Sequence, residues 1–406
     1  MTTPLFAREG SVREVFLAFL KLGLTAFGGP IAHLAYFRTE FVTRRQWLDE
    51  RRYADLVALC QFLPGPASSQ VGMAIGLSRA GYLGALAAWT GFTLPSAVLL
   101  VLFAYGVTSF SGLLDSGVLH GLKIAAVAVV ALAVLGMAKA LAPDRPRATL
   151  AVAAAILALL LPDVWGQLGG IIGGGVIGTL LIRNDAPLAP SALSIPISRR
   201  TGILALAVFF SLLLGLPLLA AATQNHLIDL VDAFYRAGAL VFGGGHVVLP
   251  LLQAELVPPG WIGNDLFLAG YGATQAVPGP LFTFAAYLGT AMSPWPNGLP
   301  GAVISLIAIF VPSFLLVLGT LPFWEALRQR VWVQAALKGI NAAVVGLLLA
   351  ALYDPVWTSG ILSATDFAVG LLAFLLLFRW SAPPWLVVAL CAVIGGLADL
   401  TPFPLG

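Results

Sequence analysis

Two basic residues lie inside apolar stretches of the sequence, where a charged side chain is unfavourable unless it has a ligand or a partner. Lys21 lies in FLAFLKLGLTAFGGP (16–30) and Arg236 lies in VDAFYRAGALVFGGG (231–245). The two stretches align at an offset of 215 residues, so the basic residues correspond and each precedes an FGG motif. Charges within apolar segments of this kind mark binding sites or pathways. Extension of either side chain to a water interface is the alternative, and the sequence leaves it open.

Four breaks in predicted helices accompany these charges, two in each half of the chain. Segment A (about 12–37, repeated at about 229–254) is interrupted by Gly-Gly-Pro or Gly-Gly-Gly, and segment B (about 52–78, repeated at about 265–292) by Pro-Gly-Pro. Proline removes a backbone donor from a helix, and glycine relaxes the backbone. A helix that restarts after such a break presents free amides and the positive end of its dipole. The alternative is a kinked but continuous helix.

We expect the helices to restart after Pro30, Gly245, Pro66 and Pro280, and we place a ligand at these four tips. Hydroxyl and amide side chains near the tips can donate hydrogen bonds to it. The predicted substrate-binding residues are Lys21, Arg236, Gly28, Gly29, Gly243, Gly244, Gln61, Gly65, Ser68, Ser69, Gln70, Gln275, Gly279 and Thr283. The candidates for coupling or gating are His33, His246, Lys123 and Asn341. A neutral histidine that satisfies a backbone carbonyl is the alternative for His33 and His246.

The deep charges have one sign, which favours an anion as the ligand. No Asp or Glu is predicted deep in a segment, because Asp55, Asp229 and Asp232 lie near segment starts, within reach of water. A cation carrier would need buried carboxylates. The sequence offers no paired catalytic carboxylates and no metal-ligand or nucleophile motif, so we predict neither an enzyme nor a cofactor or metal site.

The composition indicates a protein of the lipid bilayer. Of 406 residues, 59% are hydrophobic and 10% are charged, whereas soluble domains carry about 25% charged residues. The basic residues form short clusters between apolar runs, which indicates membrane topology and not nucleic-acid binding. Cys60 and Cys391 lie in apolar stretches, so we expect buried thiols and no disulfide.

The positions of the basic residues favour segments that turn back on the side they entered. If segments A and B are such re-entrant hairpins, 18 of the 21 Lys and Arg lie at cytoplasmic ends and none at the opposite ends. The remaining segments then cross once each, over about 81–108, 118–139, 147–162, 167–183, 201–222, 300–322, 334–353, 361–378 and 384–400. Five crossings separate the first segment B from the second segment A, so the second half is predicted to be inverted.

These observations predict an all-α integral membrane protein with two inverted-topology repeats, each with two broken-helix hairpins followed by spanning helices. We assign residues 1–183 to the first repeat, residues 184–228 to a linker and an extra spanning helix, and residues 229–406 to the second repeat. Inverted repeats with interrupted helices are typical of secondary transporters with a site near the membrane midplane.

Five motifs give the chain a family resemblance: FGGP-x-x-H (27–33), TRRQWLDE (43–50), FLPGPASSQ (62–70), FGGGHVVLP (242–250) and AVPGPLFTFAAYLG (276–289). Together they resemble the chromate ion transporter family in its long form, over nearly the whole chain. The resemblance implies a multi-pass carrier of the bacterial inner membrane that exports chromate, confers chromate resistance and uses the proton motive force. It implies sulfate as the competing analogue. The positions of the basic residues predict a cytoplasmic N-terminus, and we expect no cofactor and a possible homodimer. An anion channel or a carrier of sulfate or another oxyanion is the alternative.

Overall fold

The computed structural model describes residues 10–109, 117–161, 164–182 and 197–398, and in these residues the regular secondary structure consists of helices joined by turns and short extended connections. This confirms the predicted all-α class. The helices are α1 Val12–Thr25, α2 Gly29–Phe37, α3 Glu50–Phe62, α4 Ala67–Ser109, α5 Gly117–Leu141, α6 Arg145–Leu160, α7 Val164–Leu181, α8 Arg199–Thr223, α9 His226–Leu240, α10 Val248–Leu256, α11 Asn264–Thr274, α12 Phe284–Ala291, α13 Gly298–Thr320, α14 Trp324–Arg328, α15 Val331–Ala351, α16 Thr358–Gly360, α17 Ala364–Phe378 and α18 Pro384–Ala398.

Both A segments are broken at the FGG motifs. Helix α1 ends before the first motif and α2 starts within it, while α9 ends before the second motif and a short 3-10 turn, Gly245–Val247, leads into α10. Gly28 and Gly243, which correspond in the two halves, have φ angles of 101° and 73°. Side-chain-bearing residues rarely adopt such angles, so glycine at these positions allows the chain to leave the helix.

Both B segments are broken at the Pro-Gly-Pro motifs. Between α3 and α4 the chain is extended at Leu63, and between α11 and α12 it passes through the 3-10 turn Leu281–Thr283. The central glycines of the two motifs, Gly65 and Gly279, have φ angles of 116° and 95°. A continuous kinked helix, the alternative for all four segments, is therefore wrong.

Helix α4 folds back on itself. Ala80 and Gly81 leave the helical conformation, with a φ of 68° at Gly81. A Cβ atom built on Gly76 would overlap the carbonyl oxygen of Gly84, although eight residues of straight helix span about 12 Å. The two limbs, 67–79 and 82–109, therefore form a tight helical hairpin. In the second half, α12 and α13 approach each other in the same way at Gly289 and Gly301.

Six helical stretches of the described residues are long and apolar enough to span a membrane: Ala67–Ser109, Gly117–Leu141, Val164–Leu181, Arg199–Thr223, Gly298–Arg328 and Val331–Gly360. The predicted crossings match helices within a few residues at each boundary in the described ranges. A multi-pass membrane protein is thereby supported, while the number and direction of crossings stay predictions. Arg8, Arg183 and residues 184–196 of the predicted linker lie outside the described residues.

The two halves share their core. In the first half, α1 packs on α4 at Gly23, where a Cβ atom would lie 2.6 Å from the Gly91 carbonyl oxygen; in the second half, α9 packs on α13 where Gly238 meets the Ile309 carbonyl. A single apolar cluster joins Met73 and Leu100 of the first half to residues of the second. Both cysteines are buried and free, as predicted.

Candidate functional site

The four breaks meet through a reciprocal pair of backbone hydrogen bonds. The amide of Gly65 donates to the carbonyl of Val241 at 2.6 Å, and the amide of Gly279 donates to the carbonyl of Ala26 at 3.0 Å. Gly65 corresponds to Gly279, and Ala26 corresponds to Val241. The tip of each segment B therefore binds the end of the first half-helix of segment A in the other half. We call this arrangement the crossing.

A further contact lies between equivalent positions of the two A segments. A Cβ atom built on Gly245 would lie 3.8 Å from Cγ of Pro30, and these two residues correspond in the repeat. The FGG breaks of the two halves therefore lie next to each other.

The half-helices that start at the crossing have amides without side-chain caps. The N-cap of α2 is Gly28, and Gly244 and Pro280 precede the 3-10 turns of the second half; none of the three makes a side-chain capping hydrogen bond. The first amides of a helix have no acceptor within the helix, so they bind water, a side chain or a ligand. Their orientation and the helix dipole favour a negatively charged ligand.

Two buried hydroxyl groups at the Gly65 tip have no hydrogen-bond partner. Ser69 and Ser313 are 2% and 0% exposed, and neither Oγ atom has a partner. A Cβ atom built on Gly65 would lie 2.8 Å from Ser313 Oγ, which places this hydroxyl against the tip. A buried polar atom without a partner is unfavourable by about 1–3 kcal/mol, unless a ligand or water binds it. The two serines therefore suit an acceptor-rich ligand.

Sequence reasoning missed Ser313 and its counterpart Ser96. Ser96 lies against Gly279 in the same way, because a Cβ atom built on Gly279 would lie 2.9 Å from Ser96 Oγ. The signal was present, because Phe-Thr-Leu-Pro-Ser (92–96) and Ile-Phe-Val-Pro-Ser (309–313) correspond in the two halves. The two hydroxyls differ in their hydrogen bonding. Ser96 Oγ donates to the Thr93 carbonyl at 3.1 Å, whereas Ser313 Oγ remains free.

Three predicted donors already donate a hydrogen bond within the protein. The amide nitrogen of Gln70 donates to the Pro64 carbonyl at 2.6 Å, and Thr283 Oγ1 donates to the Pro280 carbonyl at 2.7 Å. His33 Nε2 lies 3.2 Å from the Ala26 carbonyl and Nδ1 lies 3.3 Å from Ser68 Oγ. A carbonyl only accepts, so Nε2 carries the proton in the neutral ring and Ser68 donates to Nδ1. These side chains hold the breaks in shape.

The other predicted residues lie in three different settings. Gln61 is exposed, whereas Gln275 is partly buried and its amide nitrogen lies 3.4 Å from Thr274 Oγ1. Asn341 lies beside the second FGG break, because its Oδ1 atom would be 3.5 Å from a Cβ atom built on Gly243. His246 is partly buried, and its Nδ1 atom lies 2.7 Å from the hydroxyl of Tyr271.

Lys21 and Arg236 lie before the crossing and not at its tips. Each is five residues ahead of the crossing carbonyl of its helix, which corresponds to about 7.5 Å along the axis. The Lys21 side chain is 50% exposed and that of Arg236 is 20% exposed. Arg236 therefore points into the protein, while Lys21 keeps access to its surroundings.

Carboxylates that the sequence analysis did not recognise pair with both basic residues. Lys21 Nζ lies 3.1 Å from Glu40, and Arg236 Nη2 lies 2.6 Å from Asp232 and 3.0 Å from Glu255. Asp232 is 5% exposed and Glu40 is 6% exposed. The expectation that Asp232 stays within reach of water is therefore wrong, because the folded second half closes over it. The aligned offset also relates Glu40 to Glu255, and this signal was available in the sequence.

Ion pairs also connect the halves away from the crossing, and two of them involve a segment B. Arg328 Nη1 lies 3.2 Å from Asp55 Oδ1, with both side chains largely buried. Lys123 Nζ lies 3.0 Å from Asp265 Oδ1, and the Asp265 side chain is exposed. Lys123, predicted as a coupling or gating residue, therefore bridges the start of the second segment B to the first half. Each pair joins one segment B to a helix of the opposite half.

The chain is similar in sequence to proteins of one known family. The family model for the chromate transporter matches residues 13–179 and again residues 228–396. A chromate transport protein of Pseudomonas aeruginosa is 30% identical over 414 residues, which cover 99% of this chain and 95% of that protein. A probable chromate transport protein of Synechococcus elongatus is 26% identical, with 95% of each chain covered. The uncharacterized transporter YwrA of Bacillus subtilis is 33% identical over 135 residues, which cover 33% of this chain and 71% of YwrA.

No solved structure gives a significant match. Together, the two matches to the family model cover most of the sequence, and relatives named as chromate transport proteins align along nearly their full length. The chain therefore belongs to the chromate transporter family.

Proposed function

We propose that this protein is a secondary transporter that exports chromate, or a related tetrahedral oxyanion such as sulfate, across the bacterial inner membrane. The family and the relatives named as chromate transport proteins support chromate as the substrate. The proposal includes alternating access coupled to the proton motive force, with a cytoplasmic N-terminus. It also includes the division into two inverted repeats, residues 1–183 and 229–406, joined by residues 184–228.

The observation that carries the proposal is the crossing, with the free hydroxyls of Ser69 and Ser313 beside it. The uncapped backbone amides that follow Gly28 and Gly244 add further donors to the same region. A tetrahedral oxyanion has four acceptor oxygens and needs donors that converge from several directions. Donors fixed on backbone breaks are pre-organised, so little entropy is lost when an anion binds.

Basic side chains add long-range attraction. Lys21 keeps half of its surface exposed and lies about one and a half turns from the crossing, so it can meet an approaching anion. The loop at residues 38–52 carries five arginines, which would raise the local concentration of anions on the side proposed to be cytoplasmic. Arg236 is held between two carboxylates, so an anion would have to compete with these for the guanidinium.

In the alternating-access step, the broken segments move against the long helices of the opposite half. The two crossing hydrogen bonds and the ion pairs Arg328–Asp55 and Lys123–Asp265 are among the polar contacts between the halves that such a motion would break and re-form. Lys123 bridges the halves and Asn341 lies beside the second FGG break, which suits their proposed gating roles. His33 and His246 follow the two FGG breaks and lie within hydrogen-bond distance of Ser68 and Tyr271.

The test is uptake of radiolabelled chromate into proteoliposomes that contain the purified protein. We expect saturation with chromate concentration, competition by sulfate, and dependence on an imposed membrane potential or pH gradient. Empty liposomes and the same protein with excess unlabelled chromate are the controls. Flux that rises linearly without saturation would indicate a channel, and no flux above empty liposomes would contradict the proposal.

A further inference from the structure

The two halves carry equivalent ion pairs with different charge balance. Lys21 and Glu40 in the first half correspond to Arg236 and Glu255 in the second, and in each pair the partners are 19 residues apart. The distances are also the same within 0.1 Å, at 3.1 Å and 3.0 Å. The surroundings of the two glutamates decide what each pair can do.

In the first half, basic groups outnumber the acid. Glu40 accepts hydrogen bonds from Lys21, Arg44 and Arg45 at distances of 3.1, 3.4 and 2.8 Å. Burial by itself would raise the pKa of Glu40, but the hydrogen bonds and charges of Arg45 and Lys21 outweigh burial and hold the pKa below its usual range. Glu40 therefore stays ionised and has no capacity for a proton near neutral pH.

In the second half, two acids share one base. Arg236 Nη2 contacts both Asp232 Oδ2 and Glu255 Oε2, and Arg236 Nε is buried without a partner. With both acids ionised, this group carries a net charge of about −1 in a setting where burial favours neutral carboxyl groups. Burial and the neighbouring carboxylate both favour uptake of one proton, and the free Nε–H remains a donor for an anion.

The helices packed around this group supply little compensating charge. On α9 itself the other nearby titratable residues are His226, Asp229 and Tyr235. Asp229 adds a further negative charge, and the Tyr235 hydroxyl donates to the Phe209 carbonyl. Helix α10 carries only Glu255, and α13 has no charged residue from Gly298 to Thr320. Helix α8 carries Arg199 and Arg200 at its first two positions and no charged residue after them.

We propose that Asp232 and Glu255 together bind one proton when an oxyanion docks on Arg236, so that one proton accompanies each anion. The inference rests on the proposed transport function and assigns its proton site to this acidic pair instead of to His33 or His246. A proton from water moves onto a carboxylate oxygen, which releases a guanidinium N–H for the anion and removes one of the negative charges that would repel it. A dianion then crosses with a net charge of −1, and a membrane potential that is negative inside drives it outward.

The first experiment counts protons by calorimetry. Sulfate and chromate are titrated into the purified wild-type protein in buffers of different ionisation enthalpy, and the dependence of the heat on the buffer gives protons taken up per anion. We expect a value near one for the wild type, near zero for Glu255→Gln, and near one for Glu40→Gln, the matched control at the equivalent position. A value near zero in the wild type, or an equal loss in both variants, would overturn the proposal.

The second experiment needs no anion. Infrared difference spectra between successive pH values near neutrality detect a carboxyl group that takes up a proton where ordinary carboxylates stay ionised. We expect this band in the wild type and in Glu40→Gln and not in Glu255→Gln or Asp232→Asn. If calorimetry detects no anion binding at all, the transport proposal fails, while the infrared band still decides the proton site. A band that survives in both acidic-pair variants, or no band at any pH where the protein stays monodisperse, would refute the proton site.

Discussion

Ser313 offers a substitution that separates anion binding from folding. Its hydroxyl is fully buried, has no partner and lies against Gly65. A hydrogen bond to a charged group contributes about 1.5–3 kcal/mol, and each 1.4 kcal/mol or so corresponds to a tenfold change in affinity. We therefore expect Ser313→Ala to weaken chromate binding and raise the half-saturating concentration for transport by about 10- to 150-fold. The free energy of unfolding should stay the same or rise, because an unsatisfied buried polar atom is removed.

Ser305 provides the matched control. It is on the same helix, is also fully buried, and its hydroxyl also has no partner, but it lies against Gly289 and not at a broken tip. Ser305→Ala should leave the half-saturating chromate concentration unchanged. Both variants are assayed in proteoliposomes for transport and in detergent for thermal unfolding. Equal effects of the two substitutions on transport, or unchanged transport in Ser313→Ala, would refute the assignment of this hydroxyl to the substrate.

Three further predictions concern the breaks and the charged residues. Gly279→Ala should lower the free energy of unfolding by about 1–3 kcal/mol, because the φ of Gly279 is 95° and the new Cβ atom would lie 2.9 Å from Ser96 Oγ. Gly106 is the control, because it lies in a helix with open space around it, so Gly106→Ala should be neutral or stabilising. Equal shifts of the thermal unfolding temperature in the two variants would contradict this. Arg328→Gln should lower the free energy of unfolding by about 1.5–3 kcal/mol, the contribution of a hydrogen bond to a charged group, because the Arg328 guanidinium donates to the Asp55 carboxylate. Thermal unfolding should show that adding Asp55→Asn recovers part of the loss, whereas additive losses would exclude coupling. Lys21→Ala should reduce chromate flux by about tenfold or more at low substrate, since tenfold corresponds to about 1.4 kcal/mol; unchanged flux in well-expressed protein would remove Lys21 from the site.

The positions of the breaks could be predicted because their cause is local. Glycine at Gly28, Gly243, Gly65 and Gly279 adopts positive φ angles in the structure, and only residues of this kind tolerate them without strain. The helix boundaries could be predicted for the same reason, because they depend on the length of each apolar run and on the Gly and Pro residues that end it. The repeat then showed which breaks were equivalent, without any information about their distance in space.

The hydrogen-bond partners could not be predicted in the same way, because they depend on tertiary contacts. Ser68, Gln70 and Thr283 are donors by type, but in the fold each donates to a ring nitrogen or a backbone carbonyl. Burial at Asp232 likewise arises from helices distant in sequence. The pairing of Lys21 with Glu40 could be predicted in part. The repeat offset that relates Lys21 to Arg236 also relates Glu40 to Glu255, but it does not show that the partners are in contact.

The most direct measurement is the location of a bound oxyanion. Crystals of the transport-competent protein grown with selenate, a tetrahedral analogue with an anomalous scatterer, would show its position in an anomalous difference map. We predict a selenium peak at the crossing, within hydrogen-bond reach of Ser69 and Ser313 and of the amides that follow Gly28. A peak confined to the arginines of the 38–52 loop, with none at the crossing in protein that transports selenate, would contradict the account.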